Sequence, residues 1–151
     1  MAWKTEIGMI VRYLIGDVDY DNPTYSEDRI HETILVCAQL VNAELDFANT
    51  YTIDVDQCTL SPDPTIGTKD DGFINLVALK SACLILNSEF RTSASKAFNI
   101  VDGPSRIDGR DVANSQKELA KNMCGLYEDA KKAYRVGNLS VGAAIVGPYR
   151  V

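Results

Sequence analysis

The sequence predicts a mainly α fold: a compact bundle of about four helices around a central buried helix, with a small β element and an extended C-terminal tail. Three observations carry this expectation. From Phe73 to Leu86 the clearly polar positions are Asn75, Lys80 and Ser81, so a helix there is apolar around most of its circumference and needs neighbours on several sides. Two flanking stretches repeat their apolar residues every three or four positions, the period of a helix with one buried face. A segment around residues 50–60 instead alternates with period two, the signature of a half-exposed strand. At 151 residues the chain is long enough for one hydrophobic core without a metal or disulfide staple.

Thr5 is placed to cap a first helix running to about Leu14, with Ile7, Ile10, Val11 and Leu14 on one side and Gly16 at its end. Trp3 reads as a packing anchor at the helix start. The acidic stretch DVDYDNPTYSED, residues 17–28, places Asp17, Asp19 and Asp21 at the first three oxygen positions of a calcium loop. Asn22 replaces the turn glycine, a proline follows, and Asp28 stands where a bidentate glutamate is needed, so the motif fails. The competing account is a loop leading into a capped helix, with Thr24 and Glu27 at capping-box spacing and Ser26 as an alternative cap.

The second helix is expected from about Glu27 to Phe47, its stripe formed by Ile30, Ile34, Cys37, Val41, Leu45 and Ala48. His31 lies beside that stripe as a surface or boundary residue. Tyr51, Ile53 and Val55 alternate with polar partners to give the strand, and the turn formers of SPDPTIGTKDDG make a surface loop before the central helix. Asp70 and Asp71 sit where carboxylates complement a helix N-terminus. An apolar run of about 14 residues, interrupted by a lysine, is shorter than the ~20 that a membrane span requires. Beyond it, NIVDGPSRIDGRD suggests a short hairpin around an Asp-Gly-Pro turn. The last helix starts at Asp108 or Asp111 and stops at Gly137-Asn138, with Val112, Leu119, Met123, Leu126, Ala130 and Ala133 as its apolar stripe and a basic outer face that includes Lys117 and Lys121.

Two parts follow from this organisation: a helical domain, residues 1–137, and a tail, residues 138–151, for partner docking. The tail, LSVGAAIVGPYRV after Asn138, is apolar but broken by Gly142, Gly147 and Pro148. Its large side chains, Leu139, Val141, Ile145, Val146 and Tyr149, bury too little by themselves to offset the ordering of the backbone that carries them. Another surface is therefore expected to host it, either a partner's or its own helices.

A net charge of −6 argues against nucleic-acid binding driven by phosphate neutralisation. The charge is also polarised. Residues 1–75 carry 14 Asp/Glu against 4 Lys/Arg, and residues 76–151 carry 7 against 11. Either these are solvated faces of opposite sign, or copies associate head to tail, with Asp54 and Asp56 of one copy facing Arg106, Arg110, Lys131, Lys132 and Arg135 of the next. Four cysteines, Cys37, Cys58, Cys83 and Cys124, form no CxxC pair, and with one histidine they assemble no usual zinc set. Three of them fall in predicted apolar helix faces and read there as small hydrophobes, which fits a reducing cytoplasm. The N-terminus has no basic region followed by a long apolar core, so no secretory signal is expected. No cofactor or metal is expected, and the chain carries no G-x-S-x-G elbow, HExxH or P-loop; an enzyme is not expected.

The order of elements, and the phrases LKSACLILNSE and VDGPSRID in particular, resemble the head-to-tail connector, or adaptor, proteins of tailed bacteriophages. The resemblance covers most of residues 5–137. It implies a structural virion protein at the head-tail junction, assembled in the host cytoplasm as a twelve-fold ring beneath the portal protein. Such a ring continues the DNA channel and presents a platform to the next neck or tail protein. DNA would pass without being specifically bound, since an acidic wall repels phosphate; no membrane is implied. The family uses a C-terminal segment to engage the portal, and the glycine-broken tail leaves helical and extended docking both open. A different class of function stands beside this one: a small cytoplasmic helical protein-binding or regulatory module.

Overall fold

The computed structural model describes residues 1–95, 99–102 and 105–137, with backbone alone for 99–102 and 105–110. Four helices, α1 (Ala2–Ile15), α2 (Glu27–Glu44), α3 (Asp71–Ser95) and α4 (Gly109–Gly137), enclose the expected core. Two antiparallel hairpins interrupt them, β1 (Thr52–Asp54) with β2 (Thr59–Ser61), and β3 (Asn99–Asp102) with β4 (Ser105–Asp108). The fold is mainly helical with a small β content, as the periodicities predict.

Helix α3 is the central element, because α1, α2 and α4 all pack on it. Phe73, Ile74, Leu76, Val77, Ala78, Ala82 and Ile85 are buried along its length, and Ser81 spends its hydroxyl on the carbonyl of Val77 at 2.7 Å. The helix extends to Ser95, well past its apolar run, and by length and composition alone it is long enough to cross a membrane. Protein covers most of its apolar residues, although Leu84 is 40% exposed, and Lys80 within it is tied to Glu44. Asp70 caps it: one carboxylate oxygen accepts from the Phe73 amide at 3.1 Å, the other from the Tyr51 hydroxyl at 2.7 Å. That second bond fixes the first hairpin to the start of α3. Tyr51 then stacks on Phe73, with ring centroids 3.9 Å apart, and Phe47 meets both rings edge-on.

Helix α1 begins at Ala2 rather than after Thr5. Its start is held from a distance, by the Asp63 carboxylate accepting the Trp3 amide at 3.1 Å across 60 residues of sequence. It ends as expected at Gly16, whose φ of 78° is the left-handed conformation that closes a helix. Ser26, not Thr24, caps α2 by accepting the Arg29 amide. The helix stops at Glu44, so Phe47 and Ala48 lie beyond it. Residues 50–60 form a hairpin rather than one strand: Asp54 accepts the Gln57 amide at 3.0 Å and turns the chain back, pairing Ile53 with Leu60.

Helix α4 lies against α3 with a different face from the one its large aliphatic residues suggest. The buried row is Ala113, Ala120 and Tyr127, whereas Val112, Leu119 and Leu126 are 58, 57 and 54% exposed. Small residues face inward because the two helices approach closely. Near one end a Cβ added to Gly72 of α3 would stand 2.8 Å from the Tyr134 ring. Midway, Cys83 and Cys124 are joined in a disulfide across the interface. This corrects the reading of the helix-face cysteines as small hydrophobes for Cys83 and Cys124. The pair is made by the antiparallel packing of α3 and α4, which a sequence separation of 41 does not reveal. Cys37 and Cys58 are free.

Candidate functional site

The acidic loop between α1 and α2 is built on an arginine. Arg12 is buried and reaches back to pair with Asp17, to donate to the Tyr25 carbonyl at 2.9 Å and to meet Glu27 at 2.6 Å. Asp17, equally buried, also accepts the amides of Thr24 and Tyr25, at 2.8 and 3.3 Å. Its oxygens are therefore spent on the guanidinium and the backbone. Asp19 accepts the amide of Asp21 in a local turn, and the loop folds as a capped connection. Among the described residues, no three His, Cys, Asp or Glu side chains stand together in a way that could hold a metal ion.

His31 sits at the boundary, as its position beside the stripe predicts. It packs edge-on to Trp3, 6.1 Å between centroids, with Glu27 3.4 Å from Nε2. Burial lowers its pKa below the usual histidine value, and Glu27 opposes that shift without reversing it. An open groove of about 210 Å³ lies beside it, lined by Lys4, Gly8, Arg12, Tyr20 and Glu27 among others. A larger groove of about 440 Å³ runs between Pro62, Ile66, Lys69, Asp70 and Tyr134.

The most connected polar group is Glu44, at the end of α2. It accepts the Tyr127 hydroxyl at 2.5 Å and lies within 3.5 Å of Lys80 and 3.4 Å of Lys131. Both lysines also stand over the Tyr127 ring, at 4.6 and 5.3 Å. The Tyr127 hydrogen bond lowers the Glu44 pKa most. Burial works against it, and the two lysines add to the lowering. The same burial and the same bond push Tyr127 far above the ordinary tyrosine value. Glu44 thus joins α2, α3 and α4.

This cluster bears on the charged residues expected between copies. Lys131 is half-buried and pairs within its own chain, with Glu44 and Glu128, and Arg135 donates to the Glu44 carbonyl at 3.4 Å. Part of the charge polarity is consequently spent inside one chain. Asp54, Asp56 and Lys132 are exposed. Arg106 lies on β4 and Arg110 in the first turn of α4, and their side chains are outside the described residues. Leu139, Val141, Ile145, Val146 and Tyr149, the Asp-Gly-Pro turn at Gly103 and Pro104, and the whole of 138–151 also fall outside them.

The surface feature that sequence reasoning missed is the outer flank of α4. Val112, Leu119, Leu126 and Ala133 recur every seven residues and all are exposed, while Met123 and Ala130 beside them are half-buried. Tyr127 and Tyr134, also seven apart, carry their large rings on the inner face instead. Compared with models of known protein families, with curated proteins and with solved structures, the chain matches none.

Proposed function

We propose that this chain is a structural assembly subunit: an adaptor that forms a ring, joins the portal of a tailed bacteriophage to the next neck or tail protein, and continues the DNA channel. The observation that carries the reading is the resemblance in element order, with LKSACLILNSE within α3 and VDGPSRID spanning β3 and β4. What the surface offers is consistent with assembly: an exposed apolar flank on α4, exposed acidic residues on the first hairpin and basic ones on α4. An acidic protein also suits a conduit, because a negative wall repels the phosphates that pass it.

The test is association with purified portal protein, followed by sedimentation. The adaptor reading expects a complex carrying many copies of the chain, twelve for a ring of the expected symmetry, even where the chain alone is monomeric. A chain that stays monomeric and unbound with portal at high concentration sinks it. A second reading, a small helical protein-binding or regulatory module, draws on the same α4 flank, since an apolar helix face suits one partner as well as a ring. That reading expects a defined complex with a single partner and no ring on portal.

A further inference from the structure

The outer flank of α4 has the form of a seat. Val112, Leu119 and Leu126 stand more than half exposed at a strict seven-residue interval, and Ala133 continues the line. Large aliphatic side chains that recur every second turn on the solvent side of a helix, with the half-buried Met123 and Ala130 beside them, mark a surface that another element covers. The described elements leave it open: α4 packs on α3 through the neighbouring row, Ala113, Ala120 and Tyr127, one position on and about 100° round the helix.

What lies nearest to it in the chain is residues 138–151. Helix α4 ends at Gly137, one turn past Ala133, and 14 residues follow. Extended at ~3.3 Å per residue, they reach about 46 Å. The stripe from Ala133 back to Val112 is about 32 Å long at 1.5 Å per residue. The segment is therefore long enough to reverse at Gly137-Asn138 and run back along the whole stripe. Its sequence suits that course. Leu139, Val141, Ala143 and Ile145 alternate with Ser140, Gly142 and Ala144, which gives an extended chain one apolar edge. Gly142 and Gly147 let the backbone lie close to a helix. Charge agrees with length: Arg150 is the one charged side chain in the segment. Twelve extended residues beyond Asn138 bring it about 40 Å back, level with the exposed Asp111 in the first turn of α4, about 39 Å from Gly137 along the helix.

We infer that the apolar flank of α4 is the docking surface for residues 138–151 of the same chain, laid antiparallel along the helix as an extended strap. The strap gains the host that its composition requires, and the stripe gains its cover. The contact does not depend on the adaptor reading. A partner that takes the strap from α4 uncovers the stripe, so one binding event exposes a surface for a second.

The experiment places a photoreactive benzoylphenylalanine at Leu126 of the full chain. That site is more than half exposed, so the fold tolerates the substitution. After irradiation, a product at the mass of one chain, joined to a peptide within 139–149, is expected. A chain-to-chain product, which would make a second copy the occupant, overturns the proposal, as does the absence of any link to 138–151. A solution measurement stands beside it. Maleimide labelling of Leu126→Cys is expected to accelerate at least tenfold when Val141→Asp and Ile145→Asp are introduced, and equal rates overturn the proposal.

Discussion

Arg12 decides how the first fifth of the chain folds. A buried guanidinium must be matched by acceptors, and Asp17, the Tyr25 carbonyl and Glu27 supply them. The acidic loop is organised around this one residue. Replacing Asp17 by alanine leaves Arg12 buried with its closest partner gone and frees the Thr24 and Tyr25 amides. A loss of about 3–5 kcal/mol in urea unfolding is expected. Glu27→Ala should cost no more than about 1 kcal/mol, because that carboxylate is 67% exposed. Calcium added to the wild-type chain should leave the unfolding midpoint where it is. The cysteines divide as sharply. With Cys83 and Cys124 joined, a chain unfolded without reductant should take up two alkyl groups, read by mass, and four after reduction. In the native chain the half-buried Cys58 should react first. Cys37 is buried and its thiol pushed up to about 11, so it should wait for unfolding.

At the scale of elements, the hub at Glu44 makes a pH prediction with a definite sign. Its folded pKa lies below the ordinary glutamate value, chiefly through the Tyr127 hydroxyl. The contribution is therefore fully present above the unfolded pKa of about 4.3 and is lost as pH falls through the lower folded value. Tyr127→Phe keeps the ring and removes the bond. It should cost about 1–2 kcal/mol at pH 7 and flatten the acid limb of the stability profile, where pH falls from the unfolded glutamate value through the lower folded one. Gly72→Ala tests the close approach of α3 and α4. The added methyl meets the Tyr134 ring, itself held against Phe47 with centroids 5.2 Å apart. A net loss of about 1–2 kcal/mol in chemical denaturation is expected, because overpacking outweighs the ~1 kcal/mol helix-propensity gain of alanine over glycine. The elements also show what a sequence makes legible. The Ser26 and Asp70 caps, the Gly16 stop, the second hairpin and the buried centre of α3 were readable, since local chemistry determines each. The start of α1, the disulfide and the inward row of α4 were not. Asp63, Cys124 and Gly72 act across 60, 41 and 62 positions, and no local pattern announces a partner that distant. On α4 the usual preference for large aliphatics inside gave the wrong row, because the close α3 contact selects alanines and two tyrosines.

For the whole molecule, the central question is which charges remain available to another copy. The polarised halves suggested head-to-tail pairing, but Glu44 already holds Lys80 and Lys131, and Arg29 of the acidic half stands 3.9 Å from Glu89 of the basic half. Exposed residues available for association include Asp54 and Asp56 at the tip of the first hairpin and, on α4, Lys117, Lys121 and Lys132. If copies meet through these groups, the contact is between rim charges, which set on-rate and register and weaken with salt. Asp54→Asn would disturb the hairpin as well, because its carboxylate accepts the Gln57 amide, so the cleaner probe is Asp56→Lys. On a portal template this variant should slow ring completion tenfold or more at low salt, and combining it with Lys132→Glu should recover part of the rate. The readout is the sedimentation of portal with labelled chain over time, at about 0.05 and 0.5 M salt, where screening separates charge from shape. A slowing of equal size at both concentrations would assign the hairpin tip a steric role and remove charge polarity as the organising feature of the assembly. No slowing at either would place the contact elsewhere on the chain, with the α4 flank the next surface to probe.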